Sequence, residues 1–131
     1  MPAFHYKDED CYDPDHAPNP KEWLALDEQE RVILAEDYHR AKRIKLPSLK
    51  AHALFHVIVE NQIAQNHGPV VRAMSRLAGE GLSRHESIHA IAWVLAEHIY
   101  DILKSASDEQ PSNANYDAAV ERLSAKDWLG G

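Results

Sequence analysis

His52-Ala-Leu-Phe-His56-Val-Ile-Val-Glu60 and Arg84-His85-Glu86-Ser-Ile-His89-Ala-Ile-Ala92 are the two stretches on which the fold turns. In each, two histidines stand four residues apart, slightly more than one helical turn, so both imidazoles leave the same face of a helix. Neither stretch alternates polar and apolar residues as a half-buried strand does. On a wheel at about 100° per residue with His52 at zero, Val59, Ile63, His56 and Leu49 all fall within about 60° of it. With His85 at zero, Ala92, Ala96, His89 and Leu103 crowd the same sector. The histidines therefore occupy the core stripes of two helices, and Glu60 lies on the edge of the first.

Burying four imidazoles is unfavourable unless their nitrogens find partners, since an unsatisfied buried polar group costs about 1–3 kcal/mol. One shared metal ion satisfies all four at once. The spacing accordingly makes His52, His56, Glu60, His85 and His89 candidate metal ligands, with His56, His85 and His89 the firmest and His52 or Glu60 completing the set. Imidazole suits zinc, iron and nickel, and zinc is the expected ion. If a coordination position is open, Glu86 and Glu60 are the candidate general bases of a hydrolytic reaction.

His85-Glu86-Ser-Ile-His89 is a literal HExxH, the pattern in which two histidines bind zinc and the glutamate serves as base in metallopeptidases. No histidine follows at the interval a metzincin needs, because position 95 is Leu. Ser83 and Glu86 also form a capping box, which offers that glutamate a structural role. A ferritin-like di-iron reading rests on Glu36-x-x-His39 and Glu86-x-x-His89. It is weakened because Glu36 and His39 fall at about 300° and about 240° when Ile33 is zero, away from the stripe through Leu34, Ala41 and Ile44. A further alternative is a non-enzymatic interaction module whose histidine cluster is structural or senses pH.

The stretch His52-Ala-Leu-Phe-His56-Val-Ile-Val-Glu60-Asn-Gln62, with Gly81-Leu-Ser-Arg-His85-Glu86-Ser-Ile-His89-Ala-Ile, resembles a family of small bacterial helical proteins known only as a domain of unknown function. The resemblance covers about residues 46 to 104. It implies that these residues act as one constellation, and it implies no activity.

The remaining chain reads as helices separated by clear stops. Asn19-Pro20 opens a helical turn that carries Trp23 and Leu24. Asp27 with Glu30 then starts a helix to about Arg43, ended by Pro47. Ser48 caps the helix from Leu49 to about Asn66, and Gly68-Pro69 separates it from a short helix that stops at Gly79-Glu80-Gly81. The Ser83 capping box opens a long helix from Arg84 to about Lys104. A polar stretch from Ser105 to Asn113 leads to a last helix near Tyr116 to Leu123, with Trp128 and Leu129 as a terminal hook. Short connections predict that the two histidine helices run parallel, with His85 and His89 level with His56 and Glu60, or with His52.

The expectation is an all-α, compact bundle of four to five helices spanning residues 20–131, its His-rich core at 48–104. Residues 1–19 form an irregular arm, mobile or hugging the surface, with Phe4, Tyr6 and Tyr12 as docking anchors; His5 and His16 on it are poorly placed as ligands. His98 is expected to face solvent, His67 to cap a helix C-terminus, and Trp93 and Tyr100 to serve core or interface.

The chain has 131 residues, 44% of them hydrophobic, and a formal net charge of -7. One domain follows from the length, and the acidic balance argues against a nucleic-acid partner. Lys42, Arg43 and Lys45 form a basic cluster better suited to a helix C-terminus. Cys11 is the sole cysteine, which excludes an internal disulfide and a thiolate zinc ribbon and makes a reducing cytoplasm the expected compartment. No run approaches the roughly 18 apolar residues that a membrane span needs. A homo-oligomer stays open.

Overall fold

Capping chemistry sets the helix boundaries of this computed structural model, which describes residues 12–41, 49–104 and 112–130. Asn19 Oδ1 accepts the Glu22 N–H at 3.1 Å and Pro20 sits in the first turn, opening α1 (Pro20–Ala25). Asp27 and Glu30 exchange backbone bonds at 2.9 and 3.2 Å, opening α2 (Glu28–Ala41). α3 spans Leu49–Ala64, and Asn66 then takes a positive φ of 58°, which ends it before α4 (Gly68–Gly79). Gly81, at φ 101°, makes the next turn with a backbone that a side chain would strain. The Ser83–Glu86 capping box opens α5 (Arg84–Lys104). A second such box, between Ser112 and Asn115, opens α6 (Asn113–Arg122), and α7 (Ala125–Gly130) follows.

The described residues form helices and no strand, as the periodicity predicts, but the helices number seven rather than four to five. The surplus comes from short segments at both ends. Leu26 is extended and lets Asp27 start afresh, so α1 stays separate from α2. Leu123 does the same between α6 and α7. The basic cluster at residues 42, 43 and 45, Pro47, the Ser48 cap, Phe4, His5, Tyr6 and Cys11 lie outside the described residues.

Two apolar clusters form the interior. The larger joins α3, α4, α5 and α6 through Val59, Val70, Leu77, Ile88, Ile91, Leu95, Tyr116, Val120 and Leu123. The smaller, around Tyr12, Trp23, Leu34, Ala35, Ala53 and Val57, joins α1, α2 and α3. α3 serves both. Around its wheel, Phe55 and Val59 face the larger cluster and Ala53 and Val57 the smaller, and His52, His56 and Glu60 fill the sector between them. The site thus lies at the seam of two cores.

α3 and α5 do not meet in the parallel register that short connections predict. Arg84 bonds Glu60, while His89 meets His56 and His52, so advancing along α3 means retreating along α5. The cause is α4, which packs chiefly on α5 and α6 instead of returning along α3.

Candidate metal centre

Five histidines from three helices converge at that seam. The α3 stripe supplies His52 and His56, the first two turns of α5 supply His85 and His89, and α2 adds His39. One donor nitrogen from each of His39, His52, His56 and His89 lies within 4.8 Å of all the others, an arrangement that could hold a metal ion. His85 adjoins this group through His89.

The Nε2 of His89 is the hub. It stands 2.8 Å from His56 Nε2, 3.0 Å from His85 Nε2 and 3.1 Å from His52 Nε2. A neutral imidazole nitrogen either donates one proton or accepts through one lone pair, so a single nitrogen cannot satisfy three others by hydrogen bonding. Nitrogens bound about 2.0–2.1 Å from one zinc ion stand roughly 2.9–3.4 Å apart, a spacing close to these separations. His39 points the same way. Its ring is fully buried, Nδ1 lies 2.7 Å from the Ala35 carbonyl oxygen, and Nε2 has no hydrogen-bond partner. Donation from Nδ1 to that carbonyl fixes the tautomer and leaves the Nε2 lone pair free for a ligand bond.

His56 is held by a longer chain. Its Nδ1 is 3.1 Å from the Tyr12 hydroxyl, which donates to Glu60 Oε2 at 2.6 Å. Arg84 in turn clamps both oxygens of Glu60, at 2.7 and 2.8 Å, and donates to the Pro14 carbonyl. Asp15 Oδ1 accepts the His85 backbone N–H at 3.1 Å. Residues 12 to 15 are therefore fastened across the site, and Tyr12 is a buried member of it, more than a surface anchor. Burial and the Glu60 charge hold the Tyr12 hydroxyl well above its usual pKa, so it remains a proton donor to the carboxylate.

Electrostatics favour neutral imidazoles. Burial, reinforced by His39 and His85, pushes His52 down to about 4, and burial with its imidazole neighbours pushes His89 down to about 3. His56 is depressed further for the same reasons. His85 is lowered by burial, but Asp15 and Asp13 pull against that shift. At neutral pH His52, His56 and His89 are thus in the state metal ligation requires, with lone pairs free of protons.

Of the residues singled out in the sequence, His52, His56, His85 and His89 are brought together. Glu60 is placed one residue further out, with Tyr12 between it and His56, and its oxygens are taken by Arg84 and Tyr12. Glu86 is turned to the helix start, where Oε1 accepts the Ser83 N–H at 3.0 Å. Glu36 lies 4.0 Å from Arg40. His67 caps the α3 C-terminus through its backbone N–H, which donates to the Gln62 carbonyl at 2.9 Å, while its ring pairs with Asp117 at 2.8 Å. His98 does not face solvent, because its ring packs 5.7 Å from Tyr116 and its Nε2 is buried. Trp93 and Tyr100 are exposed, as is Leu129, whereas Trp128 packs on the larger cluster.

His39 is the member that wheel reasoning left out. The inner face of α2 is Arg31, Leu34, Ala35, Tyr38 and His39, with Ile33 outside. Arg31 is buried because it caps carbonyls of Leu24 and Leu26 and reaches Asn61. A stripe through Ile33, Leu34, Tyr38, Ala41 and Ile44 is centred about 100°, or one residue, away from the observed inner face. The signal that could have found His39 is its spacing from Leu34, Ala35 and Tyr38.

No family model, curated protein or solved structure matches this chain. None of the described helices is long and apolar enough to cross a membrane.

Proposed function

We propose that this protein binds one first-row transition-metal ion through His39, His52, His56 and His89, with His85 as a more loosely held fifth ligand and zinc as the ion. The observation that carries the reading is the convergence of these imidazole nitrogens, one of them buried without a hydrogen-bond partner. An all-nitrogen, neutral set selects borderline ions and disfavours magnesium or calcium, which take oxygen ligands. Iron and nickel are the alternatives to zinc. Glu60 acts as a brace for His56 through Tyr12, and its charge is balanced by Arg84. A zinc ion held there supplies Lewis acidity. The engagement of Glu60 by Arg84 and of Glu86 by the Ser83 cap favours a binding or structural role over peptidase chemistry.

Likeness to the bacterial domain of unknown function belongs to the same proposal, since the residues that carry it include those that build and brace the centre. A reducing cytoplasm suits a site made without thiolates.

Elemental analysis of freshly purified protein, followed by chelation and zinc titration, tests the reading. About one equivalent is expected in the wild type, and a loss of binding in His56→Ala and His89→Ala. Metal below about a tenth of an equivalent, with none taken up on addition, contradicts it.

A further inference from the structure

The five imidazoles are not equivalent. His39, His52, His56 and His89 are mutually within ligand distance, whereas His85 reaches them chiefly through His89. Its ring centroid stands 6.2 Å from that of His39, against 4.5 and 4.7 Å for His52 and His56. The inner rings are also better anchored: His39 is tied to the Ala35 carbonyl and His56 to Tyr12. His85 is the second residue of α5, on its first turn.

We propose, resting on the metal-site reading, that His85 is the exchangeable ligand of the centre and that a small monodentate anion takes its place. In the exchange the metal–Nε2 bond to His85 breaks, a bond to the anion's donor atom forms, and the four inner imidazoles stay bound. No electron is transferred.

Size and charge both define the incoming ligand. The space released is that of one imidazole, bounded by the rings of Tyr38 at 5.6 Å, His56 at 5.2 Å and His89 at 4.3 Å, which admits a few atoms and no chelator. Four neutral imidazoles leave the charge of a divalent ion uncompensated, and the nearby Glu60 carboxylate is already balanced by Arg84. An anion supplies the missing charge. Asp13 and Asp15 from the arm and Glu86 from its own helix bring negative charge to the His85 ring. Asp15 already holds the His85 backbone at 3.1 Å. Their negative charge opposes the anion, but Arg84 adjoins them and the ion is the nearer charge.

Cobalt(II) in place of the resident metal, with azide as probe, reads the exchange through the visible ligand-field band. Wild type, His85→Ala, His85→Gln and His56→Ala are compared after circular dichroism confirms that each is folded. His85→Ala and His85→Gln should keep one equivalent of cobalt with affinity within about tenfold of wild type, while His56→Ala falls by about a hundredfold or more. Azide should bind the two His85 variants at least about tenfold more tightly than wild type, since no ring must be displaced. Added imidazole should return His85→Ala to the wild-type spectrum. The proposal is overturned if both His85 variants lose cobalt as completely as His56→Ala, or if azide binds variants and wild type alike. A wild type that takes up no cobalt, zinc, iron or nickel sinks the metal reading itself, a different failure from either of these.

Discussion

The two interiors of this molecule are built from different material. Around α4, α5 and α6 the core is aliphatic, with Val70, Leu77, Ile88, Ile91 and Val120 fully buried. Across the seam, the interior beside α2 is of mixed character. Trp23, Leu34 and Val57 pack there with the small Ala35 and Ala53, and against them lie the imidazoles, Tyr12 and the Glu60–Arg84 pair. The first core gains roughly 1.5–3 kcal/mol for each large aliphatic side chain that it buries. The second contains imidazole nitrogens that hydrogen bonds to one another cannot all satisfy. One half of the protein is therefore expected to be indifferent to metal and pH, and the other to depend on both.

Four experiments probe that contrast, in decreasing order of expected effect. Leu77→Ala should destabilise the protein by about 2–5 kcal/mol in denaturant titrations, equally with and without metal, because it opens a cavity remote from the histidines. A metal-dependent loss there would join the two halves into one unit.

His56→Ala should abolish the stabilisation that metal confers, which amounts to about 2.7 kcal/mol when free metal is a hundredfold above Kd. Thermal melts with and without zinc read this, and the metal-free melts of variant and wild type should differ far less than Leu77→Ala does from wild type. Tyr12→Phe removes the hydroxyl between His56 and Glu60. It should weaken metal binding by about 10–100-fold while leaving the stoichiometry unchanged, as isothermal titration would show.

Acid should act on one half only. His52 and His89 are held down to about 4 and about 3, so the unfolded chain binds protons near pH 6.5 that the folded cluster refuses. Stability of the metal-free protein is thus full above about pH 6.5 and declines as pH falls from there toward about 3. The melting temperature should drop across that window. Replacing His52 and His89 by Gln should flatten the decline, and an unchanged slope in that variant would place the acid sensitivity elsewhere.

Much of this contrast was legible in the sequence because the relevant signals are local. Capping residues at Asn19, Asp27 and Ser83 mark helix starts through bonds made within three residues. The four-residue spacing of His52 and His56, and of His85 and His89, places each pair on a core face without reference to anything distant. What escaped depends on long-range packing. His39 faces inward because Arg31, a charged residue, is drawn to carbonyls of α1 and so turns α2. Tyr12 joins the site from residues that lack any periodicity, through bonds to partners 44 and 48 positions away. Glu60 stands on the right face, but Arg84, adjacent to a histidine in sequence, meets its carboxylate. The reversed register of α3 and α5 follows from where α4 packs, which connection length alone does not specify.

X-ray absorption at the metal edge of the zinc-loaded protein tests the central claim most directly. The account predicts a shell of nitrogen scatterers at about 2.0–2.1 Å, with outer-shell features of at least four imidazoles, and one fewer imidazole in His39→Ala. A shell with two imidazoles or fewer, or one unchanged by His39→Ala, would contradict it.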